Sequence, residues 1–246
     1  MRREDKAMLD ARGEPDYPTS DGEPMGETDL HRDMMVNLIE ALRNYYRNDS
    51  QVYVSGNILL YYEQGDPTCH LSPDVLVTLG IPQTRLQTYK MWEIGKAPDL
   101  IIEVTSRSTR LRDVGVKKGL YEALGVREYI LFDPREEYLL PRFQVHRREG
   151  SHFLPVLAPE AQGYLSRSLG LLFRVIDGEL RIIDPASGQT LPTPAEQAQR
   201  AEQEAQRAEQ ATQRAEQEAR RADEQSLLAE RYAARLRQAG IDPGAI

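Results

Sequence analysis

Residues 97–134 read APDLIIEVTSRSTRLRDVGVKKGLYEALGVREYILFDP. The stretch divides into strand, helix and strand. Asp99 to Val104 is a short apolar run with acids set in it. Ser106 and Ser108 are cap-type residues ahead of a helical pattern that ends at Gly125. Glu128 to Phe132 is a second apolar run, stopped by Asp133-Pro134. Two short apolar runs joined by a helix predict a βαβ unit with a parallel strand pair. Within it Glu103 stands out, because a carboxylate in a buried strand is costly unless it is paired or binds a cation.

Side chains two apart on a strand share a face. Asp99, Ile101, Glu103 and Thr105 therefore point one way, and Leu100, Ile102 and Val104 point the other. Upstream, Ser72-Pro73-Asp74-Val75-Leu76-Val77 reads as another strand with Asp74 at its entrance. If the two strands are neighbours, Asp74 and Glu103 converge. Two hard oxygen ligands, with water and phosphate, suit Mg²⁺. On the helix, Asp113, Lys117 and Tyr121 stand four residues apart on one face, and the helix packs back over the strand that feeds it. Lys117 can then reach the carboxylates. Plainer readings exist: Asp113 and Lys117 also fit an ordinary surface ion pair worth about 0.3–0.5 kcal/mol, and both Pro-Asp pairs fit strand-entry turns.

The rest of the chain frames this unit. From Asp29 a helix is predicted, with Met34, Met35, Leu38, Ile39, Leu42, Tyr45 and Tyr46 on its apolar face. His31, near its start, reads as a polar surface residue. Gln51 to Tyr62 reads as one strand, kinked at Gly56-Asn57, and pairs antiparallel with the Asp74 strand. Ile81 to Lys96 reads as a long polar loop. After Pro134, short apolar runs at Phe143–His146, Phe153–Leu157, Leu171–Ile176 and Leu180–Ile183 predict a small antiparallel annex, with Asp177-Gly178 as a hairpin turn. Beyond Leu191-Pro192-Thr193-Pro194 comes a seven-residue repeat, AEQEAQR, AEQATQR, AEQEARR, over residues 201–221. Its alanine seams allow a coiled coil, but alanine buries little area per layer. The expected organisation is a flexible tail at 1–16, a folded domain at 17–190, a linker at 191–195, a heptad-patterned helix at 196–239 and a C-terminal tail at 240–246.

The 246 residues carry a net charge of −8, and neither the domain nor the helical tail is basic. This counts against strong unaided gripping of long duplex DNA, though not against a local basic groove. A single cysteine, Cys69, excludes an intramolecular disulfide and a multi-cysteine zinc site. The start lacks the apolar core of a signal peptide, and no run approaches the ~18 apolar residues of a membrane span. The expectation is a cytoplasmic protein with no membrane partner. No Walker or Rossmann glycine pattern is present.

The residues Pro73-Asp74-Val75, Pro98-Asp99-Leu100-Ile101-Ile102-Glu103-Val104, Asp113…Lys117…Tyr121 and Gly125-Val126-Arg127-Glu128-Tyr129…Asp133-Pro134 together resemble the Uma family of restriction-endonuclease-like proteins, in the PD-(D/E)xK nuclease superfamily. The resemblance covers roughly residues 17–195, and the Glu- and Gln-rich tail ending in Gly240-Ile241-Asp242-Pro243 also looks like that of many members. It implies an α/β (α+β) domain, a mixed sheet flanked by helices, followed by a long helix or coiled coil. It implies Asp74 and Glu103 as ligands of Mg²⁺, with Mn²⁺ as a substitute. The superfamily lysine two residues after the second acid is Thr105 here; the Uma-type pattern moves it to the next helix, where Lys117 matches. Lys118 points about 100° away. Asp99 is then a further acid or ligand, and Asp113 and Tyr121 position Lys117.

The expected activity is Mg²⁺-dependent phosphodiester hydrolysis in nucleic acid, DNA foremost. The alternative is an inactive nuclease-fold binding module whose helical tail binds a partner or makes a homodimer. A Lys117 more than about 8 Å from both carboxylates would favour the module, being far outside hydrogen-bond reach.

Overall fold

The computed structural model describes residues 15–20, 28–107 and 109–240. Most of the expected N-terminal tail, Asp21-Gly22, the cap residue Ser108 and the last six residues lie outside them. The chain divides into two units, residues 1–194 and 195–246.

The first unit is built on a six-stranded mixed sheet. Its strands are β1 (Val52–Ser55), β4 (Val75–Leu79), β6 (Leu100–Val104), β7 (Glu128–Phe132), β8 (Phe143–Glu149) and β9 (His152–Val156), adjacent in that order. The β6–β7 pair is parallel, as the βαβ reading requires, and the other pairs are antiparallel. Short strands β2 (Leu60–Tyr61), β3 (His70–Leu71) and β5 (Tyr89–Lys90) form a second sheet, and β10 (Tyr164–Leu165), β11 (Leu172–Ile176), β12 (Glu179–Asp184) and β13 (Gln189–Thr190) a third.

Three expectations are revised. Gln51 to Tyr62 is two strands in two sheets, because Gly56 sits where a Cβ would lie 2.0 Å from the Asp74 carbonyl oxygen. No side chain fits there, so the chain turns away after Ser55. The β8–β9 hairpin joins the main sheet rather than an annex; only β10 to β13 stand apart, with Asp177 and Gly178 both at positive φ in the β11–β12 turn. The polar stretch at 81–96 is shorter than expected, since it contains β5 and the single turn α2 (Met91–Ile94).

Each face of the main sheet is covered. Helix α1 (Asp29–Tyr45), capped by the Thr28 hydroxyl, lays Met34, Met35, Leu38, Ile39 and Leu42 against Val54, Val77, Leu100, Ile102 and Ile130. Each such fully buried side chain contributes about 1.5–3 kcal/mol relative to exposure. The other face holds Tyr53, Leu76, Ile101, Tyr129 and Leu131 under Tyr121 of α3 (Lys118–Leu124). Helix α3 ends at Gly125, whose φ of 93° suits a residue without a Cβ. A π-helical run, Arg112–Lys117, leads into it.

In the second unit, α4 (Pro194–Gln238) is one continuous helix with no buried residue. It starts at Pro194, so the linker lends it its last residues; proline suits a first helical position, where its missing N–H has no partner to lose.

Candidate active site

The β4–β6 register pairs Val75 with Ile102, so the next pair outward is Asp74 opposite Glu103. Opposed residues share a sheet face. Here both face the Tyr121 layer, at the strand ends where β6 runs into the loop before the helix. The Val104 N–H donates to Asp74 Oδ2 at 2.7 Å, which holds the Asp74 carboxylate against β6.

Lys117 enters from the helix. Its Nζ donates to Glu103 Oε2 at 2.8 Å, lies 3.3 Å from Asp113 Oδ1 and also meets the Ser72 carbonyl at 3.3 Å. The Tyr121 hydroxyl donates to the other oxygen, Glu103 Oε1, at 2.8 Å. Tyr129 donates to the Asp113 carbonyl at 2.9 Å and so fixes the π-helical run from below. The surface-pair reading of Asp113 and Lys117 does not hold: they are 1% and 8% exposed. A π-turn widens the helix locally, and this one turns Asp113 and Lys117 inward while Leu111, Val114 and Val116 face outward.

Three buried carboxylates therefore face one ammonium. Burial drives the Glu103 carboxyl well above the usual carboxylate range; Lys117 opposes this, and Asp74 and Asp113 add to it. Burial raises Asp113 as well. For Lys117, burial pulls the ammonium down, but Glu103, Asp113 and Asp74 outweigh it and raise its pKa. Lys117 is thus held protonated, beside two carboxyls, Glu103 and Asp113, that burial biases toward taking up a proton.

The other predicted residues divide. Thr105 lies just beyond the end of β6, and its buried Oγ1 has no hydrogen-bond partner among the described residues. Asp99 does not join the cluster. It lies at the far end of β6, where Oδ2 takes Lys96 at 2.8 Å and the Leu79 N–H at 2.7 Å, and Oδ1 takes Arg127 at 3.1 Å. Its role there is to tie β6 to β4 and to the start of β7. Lys118 is half-buried and points away from the carboxylates.

Three residues escaped the sequence reading. His31 is 4% exposed, with Nε2 3.2 Å from Asp74 Oδ2. It lies three and four residues before Met34 and Met35, so its place on the buried stripe was readable. Gly56 abuts the Asp74 backbone, and the Asn57 N–H donates to the Pro73 carbonyl at 2.8 Å, which seats the turn that carries Asp74. Asp133, beyond a strand stop, accepts from the N–H groups of Arg135, Tyr138 and Leu139 and orders the loop after β7.

The sequence matches the family model of Uma2, described as "Putative restriction endonuclease", over residues 6–175, more than half of the chain. The chain belongs to the Uma2 family. The acid pair with its helix-borne lysine lies inside the region that this Uma2 protein shares with the family model. No curated protein matches it. A solved structure from Anabaena variabilis, titled as a putative nuclease belonging to DUF820, aligns with 59% of this chain and 79% of its own at 15% identity and a TM-score of 0.42.

Proposed function

We propose that this Uma2 protein is a Mg²⁺-dependent endonuclease that hydrolyses phosphodiester bonds, in DNA before other nucleic acids. The observation that supports it most is the burial of Asp74, Glu103 and Asp113 around a single Lys117. An enclosed cluster with more carboxylates than cations is costly for a fold to keep, and a divalent cation would offset that cost.

The donor set fits such an ion. Carboxylate oxygens are hard ligands suited to Mg²⁺, which binds through few protein groups and keeps several waters. Among the described residues no group of three or more His, Cys, Asp or Glu is placed to hold a metal ion. Asp74 and Glu103 would hold it, with the Val104 carbonyl as a further ligand and Mn²⁺ as a substitute. When bound, the ion supplies Lewis acidity and a water of lowered pKa.

The protein's own groups do the rest. Lys117, kept as an ammonium, is a donor and not a base. It orients the attacking water and offsets the charge that grows on the phosphorane. Tyr121 and the Val104 N–H fix Glu103 and Asp74 so that neither must reorient during the reaction. The binding-module alternative loses its discriminator, since Lys117 touches Glu103 at 2.8 Å. The alanine seams of α4 remain the surface by which a homodimer or partner protein would dock; truncation at Pro192 followed by sedimentation tests it.

The deciding experiment is a cleavage panel over ssDNA, dsDNA and RNA with Mg²⁺, Mn²⁺ or EDTA. Metal-dependent cleavage lost in Glu103→Ala and Lys117→Ala is expected. Equal cleavage by wild type and Glu103→Ala would mark a contaminant and end the proposal.

A further inference from the structure

A cleft of about 650 Å³ opens beside the carboxylate cluster. His31 and Thr105 form its inner end, Arg107 follows β6, and Arg135, Glu137 and Tyr138 follow β7. It borders the acids, since His31 contacts Asp74 at 3.2 Å and Thr105 follows directly on β6, two residues after Glu103. Its far wall is a built one. Asp133, fully buried, holds the Arg135 and Tyr138 N–H groups at 3.0 and 2.5 Å.

The chemistry of the lining is that of an anion site. Glu137 hydrogen-bonds the Tyr138 hydroxyl and holds its pKa up, while Arg135 and Arg107, which form no ion pair among the described residues, pull it down. A third guanidinium, that of Arg110, lies 5.9 Å from the Tyr138 ring centroid. In a chain of net charge −8, three arginines gathered on one tyrosine are a local exception. Thr105 adds a second observation. It is 2% exposed and lines the cleft, and its Oγ1 has no hydrogen-bond partner. A buried hydroxyl left unpaired costs about 1–3 kcal/mol, a cost that a bound acceptor would relieve.

We propose that this cleft holds an unpaired nucleic-acid strand on its way to the carboxylates, with Arg107 and Arg135 clamping a phosphate and Tyr138 stacking a base. The proposal rests on the nuclease reading for its direction and adds the form of the substrate. Size favours one strand: the cleft falls within the roughly 300–1,000 Å³ of pockets that enclose a small ligand, room for a nucleotide or two and not for a duplex about 20 Å across. Stacking on an aromatic ring is also how proteins grip single strands without regard to sequence. Arginine suits the clamp because its planar fork meets phosphate oxygens in pairs.

The test is fluorescence anisotropy on the full chain in EDTA, so that binding is read apart from cleavage. The probes are labelled dT12, a 12-base-pair duplex and dTMP as competitor. The strand is expected to bind at least tenfold tighter than the duplex. Arg107→Ala/Arg135→Ala should weaken dT12 at least tenfold and flatten the log K against log salt slope by about 1.4, from ~0.7 per lost contact. Tyr138→Ala should weaken it severalfold, and Tyr138→Phe should not. Both arginines are exposed, so unchanged melting of the double variant confirms that folding is not the cause. Duplex binding as tight as dT12, an indifferent double variant, or dTMP competing as well as dT12 would overturn the proposal. If dT12 binds as described but Mg²⁺ yields no cleavage, the nuclease reading fails alone; cleavage without these binding effects fails this one alone.

Discussion

Lys117 Nζ meets Glu103 Oε2 at 2.8 Å across 14 residues of chain, from a helix to the strand before it. The ammonium therefore reports on the carboxylate and the carboxylate on the ammonium. Lys117→Ala is expected to lower nucleolytic kcat by roughly 10²–10³, the usual loss for one preorganised charge-stabilising donor. Lys118→Ala should stay within about threefold of wild type, since that side chain points away. Kinetics of the two variants side by side decide which lysine matters.

Tyr121→Phe removes the donor to Glu103 Oε1 and leaves that buried oxygen with one partner fewer. Such a loss costs about 1–3 kcal/mol of stability. The variant should melt several degrees lower, and its activity should fall about tenfold as Glu103 gains freedom. Calorimetry and initial rates check each part.

Gly56→Ala should damage the site through the Asp74 backbone alone. The added Cβ would lie 2.0 Å from the Asp74 carbonyl oxygen and 2.6 Å from Ile39 Cδ1. Backbone must move, at a cost of about 1–3 kcal/mol, and the Asp74 turn moves with it. Misplacing a reacting group by about 1 Å can cost 10²-fold in rate, so activity should fall further than melting temperature. A variant with full activity would show that the turn can give way freely.

Divalent ion should stabilise the folded chain in a pH-dependent way. At an ion concentration ten times its Kd the gain is about 1.4 kcal/mol, or ~3–6 °C in Tm for a domain of this size. Ion and proton compete for Glu103. Its folded pKa is raised by burial, so the proton wins below that raised value and the Mg²⁺-dependent shift fades as pH falls through it. Without ion the sign is opposite. A raised carboxyl contributes stability that is full below the unfolded value of 4.5 and is lost as pH rises through the folded one. Melting curves at several pH values, with Mg²⁺ and with EDTA, should therefore diverge upward. Asp74→Ala should abolish the shift.

His146 acts away from the site. Burial, helped by Lys118, lowers its pKa from 6.5 to about 4. It packs against Tyr129 and Phe153 with its Nδ1 unpartnered. A lowered base stabilises fully above its unfolded pKa, and that stability is lost as pH falls through the folded value. At roughly 1.4 kcal/mol per unit, discounted for partial solvent access, it is worth ~2 kcal/mol. His146→Phe should therefore flatten the acid limb between pH 6.5 and 4, read by thermal melts.

Much of this site was legible because it rests on local periodicity. Alternation along β6 put Glu103 and Thr105 on one face, and helical spacing put Asp113, Lys117 and Tyr121 on another. The failures were questions of distance along the chain. Pro98-Asp99 looks like Pro73-Asp74, and only strand register reveals that Asp99 lies at the far end of β6. An amphipathic hairpin reads the same whether it closes an annex or, like β8–β9, extends the main sheet. Gly56 gives no sign of the Asp74 backbone it must admit, and the sequence does not announce a π-turn.

That π-turn has a further consequence. A π-turn is an α-helix carrying a surplus residue. Lys117 closes the run and keeps the phase of α3, above Tyr121. The helical turn before it, with Arg110, belongs to the segment that the surplus residue lets slip. Removing one residue from the exposed Val114–Val116 turn would rewind that segment by about 100°, shifting Arg110 against Tyr138 while Lys117 kept its place beside Glu103. The helix is thus a splice between two inheritances. Insertions and deletions on its outer side can move Arg110 and leave untouched the lysine paired with Glu103.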